Sequence, residues 1–335
     1  MILAFFSPEI FQNTFAVFGI LTVGVLHGAN DLKILAKKVP QKNNFLGIPF
    51  WGVYIGVVLA FFSPEIFQNA FAVFGILTVG VLHGANDLKI LAKKEPQKKN
   101  FSGIPFWGIY IGVVLLGIYL FYFIPGIALL CFVLVSCYHF GEQHWETRFP
   151  SMKVPGLFYS AYGSLIFNLL FVFHYAEVTD VIFQIASLRI PFEWFVGLLI
   201  LSSVFVLYFL IKNSPDFKSF AVELLLLALL SLLFFKGSLL FGFGIYFVFW
   251  HSLPSLTSQV RYLYEAQKKS AYINYLKSAF LYWILALAGL VGFYFFNLFP
   301  KDQYLPVFFS FLAAITFPHV VVMGFMFHSS KSDGL

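Results

Sequence analysis

Apolar runs of membrane-crossing length alternate with short polar breaks along almost the whole chain. They fall at about 10–29, 47–62, 66–85, 103–124, 126–143, 156–175, 193–212, 218–236, 239–254, 278–298 and 304–328. A helix in hydrocarbon satisfies its own backbone, and about 20 apolar residues carry it across the bilayer core. The pattern predicts an all-α, polytopic transmembrane helix bundle of about 9–11 spans, the runs 47–62 and 239–254 being the short ones. Assigning the breaks alternately to two sides places 18 of the 21 Lys and Arg on one side. Only Arg189, Lys236 and Lys301 fall on the other. That asymmetry is the positive-inside pattern, and it predicts an outside N-terminus and a cytoplasmic C-terminus.

The pattern also repeats. Residues 3–58 and 59–114 align without gaps and differ only at Thr14/Ala70, Val39/Glu95, Asn43/Lys99, Leu46/Ser102 and Val53/Ile109. Repeats that evolved as structural units drift much further than this, so the first copy reads as a recent tandem duplication or an assembly artefact. Each copy holds two apolar runs, which leaves the orientation of everything downstream unchanged. The organisation expected is a dispensable two-helix segment at 1–58 and a membrane-embedded domain at 59–335.

Composition agrees with the membrane reading. The chain of 335 residues is 60% hydrophobic and 11% charged, where soluble domains carry about 25% charged residues. The net charge of +6 follows from the cytoplasmic loops and implies no nucleic-acid partner. Cys131 and Cys137 lie in one apolar run, so neither a disulfide framework nor a CxxC metal site is indicated. No basic segment precedes the first apolar run and Glu9 interrupts it, so no cleavable signal peptide is expected.

Histidines stand out against this background, because a metal-binding side chain within a span is costly and marks function by default. His83 (with His27 in the first copy), His139 and His251 lie near the cytoplasmic ends of three separate runs. His319 sits roughly 13 Å inside the last run at 1.5 Å per residue. A lone histidine of this kind is most often a hydrogen-bonded core residue. Several at one level, beside small or polar residues, point to a metal centre. Asp87 follows His83 by four residues and Glu142 follows His139 by three, so each could accept a proton from an imidazole N–H. Gly84 and Gly141 would let another backbone approach, while Pro254 and Pro318 can break their helices. Imidazoles without thiolates suit Fe, Zn or Cu, and four around Fe(II) would leave positions for dioxygen. A multi-spanning transporter would place polar residues at the midplane on broken helices in related halves, which a recent tandem repeat does not define. A bis-His haem protein and a metal-free structural membrane protein are the remaining alternatives.

The stretches LHGANDL (82–88), YHFGEQHW (138–145), FWHSLPS (249–255) and FPHVVV (317–322) together resemble the Brp/Blh family of membrane β-carotene 15,15′-dioxygenases. The likeness runs from residue 59 to about 328. It implies a membrane enzyme of the bacterial inner membrane, carrying iron as Fe(2+) on histidines. Its substrates would be β-carotene taken from the lipid bilayer and O2, and its two retinal products would be linked to a microbial rhodopsin. By matching position it implies His83, His139 and His251 as ligands. Family members commonly carry a further histidine where Ser255 stands here, and serine is a poor neutral iron ligand. His319 is the candidate for the fourth position, with His144 as the alternative, about 140° round a regular helix from His139. Deleting residues 3–58 is expected to leave activity intact. A deletion that inserts in the membrane but is dead would instead make the first copy the working one.

Overall fold

The computed structural model describes residues 47–94, 106–146, 148, 155–213, 217–265, 268–296, 300 and 304–332. Among them every regular element is helical. Seven helices are long and apolar enough to cross a membrane, and three shorter apolar ones join them. Together they account for the ten runs from residue 47 onward. The run at 10–29, and His27 with it, lies outside the described residues.

In chain order the helices are α1 (Ile48–Phe62), α2 (Glu65–Gly75), α3 (Asp87–Lys94), α4 (Phe106–Phe123), α5 (Pro125–Trp145), α6 (Pro155–Phe173) and α7 (Tyr175–Ala186). They continue as α8 (Phe192–Asn213), α9 (Phe217–Lys236), α10 (Leu239–Ile245), α11 (Leu253–Tyr264), α12 (Lys269–Phe295) and α13 (Tyr304–Ser332). A π-helical turn, Ile76–Gly80, extends α2, and another, Tyr246–Ser252, joins α10 to α11. The sequence makes the segment from Leu239 look short, because its polar end resembles a loop. Folded, it is the continuous span Leu239–Tyr264. It is also the central one, 72% buried against 50% or less for the other six long spans. Large side chains such as Leu116, Leu201, Ile211 and Leu281 face outward on the peripheral helices, as lipid contact allows.

One element is absent from the hydropathy reading. Residues 176–192 look like an outer loop, yet α7 forms there as an amphipathic helix that buries Val178, Thr179 and Ile182. His174 is its N-terminal flanking residue, with Nδ1 3.0 Å from Glu177 Oε2. This histidine therefore serves a helix end, away from the others.

Two glycines set the distance between α5 and α6. A Cβ added at Gly141 would lie 2.0 Å from the Tyr159 carbonyl oxygen, and one at Gly163 would lie 1.9 Å from that of Cys137. The two backbones therefore touch reciprocally, which fixes the height and rotation of the helix that carries His139. At the start of the described chain, α1 crosses the repeat junction. Val53 and Val57 are buried in the main core, and Gly52 and Gly56 let Phe249 and Ile245 pack against the helix. A cut after residue 58 would therefore divide α1.

Neither backbone at the α5–α6 contact can swing aside as a side chain would. Gly163→Ala is therefore expected to cost at least the ~1–3 kcal/mol typical of overpacking. The checking measurement is the thermal unfolding midpoint in detergent, and an unchanged midpoint would contradict this packing.

Candidate metal centre

The first histidine sits where a helix stops. After the π-turn Ile76–Gly80, residues 83–86 (His-Gly-Ala-Asn) form turns, and α3 starts at Asp87, an acidic residue suited to a helix N-terminus. Breaking a helix inside an apolar bundle frees polar backbone groups that must find partners. Tyr275 of α12 supplies them: its hydroxyl lies 3.0 Å from the His83 carbonyl oxygen and 2.8 Å from Gln259 Oε1. Asn86 Nδ2 donates in turn to the Tyr275 carbonyl at 3.0 Å, and Ser278 Oγ donates to Asn86 Oδ1 at 2.8 Å.

His251 lies on the second π-turn. Pro254 has no N–H to give to the carbonyl of residue 250, which disfavours the regular ladder there. Ser252 Oγ donates within the same turn to the Phe247 carbonyl at 2.8 Å. Single π-turns of this kind recur at functional sites. His319 follows Pro318 within α13, and His139 stands on the C-terminal third of α5.

Folding brings these four together into a ring. Centroid distances are 4.6 Å for His83–His319, 5.3 Å for His319–His139, 4.8 Å for His139–His251 and 5.2 Å for His251–His83. All four are buried, none more than 5% exposed. One ligand nitrogen from each of His83, His251 and His319 lies within 4.8 Å of the others. The outward nitrogens are occupied: His83 Nδ1 faces the Gly80 carbonyl, and His319 Nδ1 lies 2.9 Å from Asp87 Oδ1. Both acceptors take an N–H, so Nε2 of each of these rings is left with its lone pair. Those two Nε2 atoms, both nitrogens of His139 and Nδ1 of His251 are buried without a hydrogen-bond partner among the described residues. Buried imidazole nitrogens left over in this way fit a bound cation. With no thiolate in the set, the donors suit Fe, Zn or Cu.

The carboxylates divide differently from the sequence expectation. Asp87 serves His319, since the break after His83 removes the helical face on which His83 and Asp87 would have met. It also accepts a 3.4 Å hydrogen bond from Tyr110. Glu142 is buried and accepts from the Tyr138 hydroxyl at 2.8 Å. His144 stands apart from the ring. It stacks between Tyr162 and Trp250, with Nε2 3.2 Å from Glu223 and 3.0 Å from Arg148. Ser255 is buried, and its Oγ accepts from Gln259 Nε2 at 3.1 Å, so it belongs to the Tyr275 network that holds the His83 turn. Tyr110 is a polar group in an apolar run, and Gln259 and Tyr275 lie in the break between the runs 239–254 and 278–298, so none carries a sequence signal of its own. A search for buried polar residues on helix faces would have flagged them without a role.

The ring opens on a cavity of about 200 Å³, lined also by Tyr110, Phe140, Phe247, Tyr282 and Thr316. Beyond the His83 turn the lysines of the repeat motif tie α3 to the end of α11. Lys89 donates to the Tyr264 hydroxyl and Lys93 to the Tyr262 carbonyl, each at 2.7 Å. Lys93 also pairs with the exposed Glu265 at 2.8 Å and holds its carboxyl below the usual range.

Residues 74–327 match the family model described as beta-carotene 15,15'-dioxygenase. That span contains all four ring histidines. A curated beta-carotene 15,15'-dioxygenase from uncultured marine bacterium 66A03 is 26% identical over 268 residues, covering 76% of this chain and 94% of the relative. No solved structure matches the chain.

Removing the charge that orients His319 is expected to loosen any bound metal. Asp87→Asn should lower metal retention by about 10–100-fold, read by elemental analysis of purified protein dialysed against a weak chelator. Retention equal to wild type would show that Asp87 does not act through His319.

Proposed function

Since the chain belongs to the beta-carotene 15,15'-dioxygenase family, we propose that it cleaves β-carotene at its central double bond with O2, giving two molecules of retinal. The observation that carries this reading is the ring of four buried imidazoles with unpartnered nitrogens, set in an apolar bundle. Iron is the metal that fits both the donor set and dioxygen chemistry, with His83, His139, His251 and His319 as the residues that would hold it. Bound there, Fe(II) would supply the redox partner that activates dioxygen.

The chain's own residues do the rest. The Gly80 carbonyl and Asp87 keep protons on the outward nitrogens of His83 and His319, which leaves the inward nitrogens free to bind. Phe140 and Phe247, with ring centroids 4.2 and 5.7 Å from that of His251, wall the chamber and exclude water. Apolar walls of this kind suit a hydrocarbon polyene drawn sideways from the bilayer, with no passage through water. In the reaction one carbon–carbon double bond breaks and two carbonyl bonds form. Both oxygens come from one O2, and no further oxidant or reductant is required. The Lys and Arg distribution supports a bacterial inner-membrane setting with the N-terminus outside and the C-terminus cytoplasmic. A microbial rhodopsin is the consumer we propose for the retinal.

Expression in a β-carotene-producing bacterium tests the reading directly. Cells should bleach and their extracts should contain retinal, and His83→Ala or His251→Ala should abolish both. A well-expressed protein that leaves the pigment intact would sink the enzyme reading, and undiminished bleaching by either variant would refute its ligand role.

A further inference from the structure

A second, larger cavity of about 930 Å³ lies among α5, α6, α7 and α8. The chamber at the histidines, about 200 Å³, is too small for a whole carotenoid, whereas the larger one falls in the range of ligand-holding pockets. Three helices connect the two spaces. On α5, Val133 and Cys137 line the large cavity, and Phe140, on the same face, lines the chamber. On the central span the row Leu239, Phe243, Phe247, His251 passes from one to the other, and on α13 the row Phe309, Leu312, Thr316, His319 does so too. Spacings of three and four residues keep each row on one helix face. The two cavities therefore lie end to end.

The join is aromatic. Phe243 stacks on Phe247 with centroids 5.4 Å apart and planes 11° from parallel, and Phe247 stacks on His251 at 5.7 Å and 19°. Phe309 closes the same place from α13, 5.7 Å from Phe243. Such a column of flat faces suits a conjugated chain laid along it. The polar residues in the large cavity make few demands on an occupant. Asn168 Nδ2 donates to the Ser164 carbonyl at 2.9 Å, and Ser202 Oγ donates to the Leu198 carbonyl at 2.6 Å. Along α5 the lining extends from Gly126 to Cys137, about 16 Å at the helical rise. The space is thus elongated and apolar, and its inner end lies against the aromatic join to the histidine chamber.

We propose that this cavity receives one arm of the carotenoid, ring and half-polyene, and that its length sets which double bond reaches the histidines, with Phe243 at the join. The proposal rests on the dioxygenase reading and names a subsite for it. A membrane-lipid acyl chain is the competing occupant.

The test uses full-length protein made in β-carotene-producing cells, purified without oxygen and then exposed to air. Ala161→Trp fills the cavity. Leu198→Trp does the same from a position 45% exposed to the surroundings, which spares the fold should the first variant fail. Neither residue lines the histidine chamber. Wild-type protein should carry β-carotene through anaerobic purification. Each variant should carry about tenfold less, the effect of overpacking by about 1.4 kcal/mol, with its metal content unchanged. Residual cleavage by the variants should move off centre, giving two aldehydes of unequal length. Variants with wild-type carotene content and symmetric products would overturn the proposal, as would wild-type protein that retains phospholipid and no carotene. Wild-type protein that holds β-carotene but yields no retinal in air would remove the dioxygenase reading and leave the arm site standing.

Discussion

The hydrogen bond between Asp87 and His319 joins residues 232 positions apart and decides how the two ends of the described chain meet. It links the start of α3 to the middle of the last helix. On one side it fixes a proton on the outward nitrogen of His319, and on the other it buries a carboxylate that apolar surroundings would otherwise penalise. With the two partners meeting, His83 and His319 come to 4.6 Å, and the helices that carry His139 and His251 complete the ring. Tyr110 completes the pairing by donating to the second oxygen of Asp87. The centre is therefore built from outside inward, with the inward nitrogens left for whatever binds.

Irregular backbone makes this possible. A straight helix of ordinary pitch cannot turn a side chain into the bundle and also present the next carbonyl to a partner. The two π-turns and the stop at His83 do so, at the expense of regular hydrogen bonds. Around the His83 turn the repair comes from Tyr275, Gln259 and Asn86, and Ser252 adds a side-chain bond within the His251 turn. In lipid these repairs are obligatory, since no water reaches the freed groups. Many of the buried polar residues are therefore spent on holding histidines rather than on chemistry.

Much of the site was legible beforehand. A histidine within a span is costly enough that its presence alone argues for a role, and three at one depth, with His319 further in, pointed to a metal centre ahead of a transporter or a structural protein. The same reasoning misassigned the partner of His83. It assumed an unbroken helix from 83 to 87, and the break depends on Asn86 and Tyr275 meeting across 189 residues. His144 could not be separated from the ring by spacing alone. Its stacking partners Tyr162 and Trp250 come from other helices.

The repeat shows most directly where sequence stops deciding. Residues 49–58 and 105–114 differ at a single position, Val53 against Ile109, and both stretches fold into helix where described. Yet Val53 is fully buried while Ile109 is 39% exposed, and Gly52 and Gly56 have Phe249 and Ile245 packed on them while Gly112 faces open space. Tyr110 reaches Asp87, whereas its counterpart Tyr54 is 44% exposed. Hydropathy, proline positions and charge asymmetry determine locally that each segment is an apolar helix, because backbone satisfaction in lipid leaves no other option. Which face of that helix is covered, and which of two identical tyrosines touches Asp87, depends on neighbours distant in the chain. Only the packed bundle supplies them.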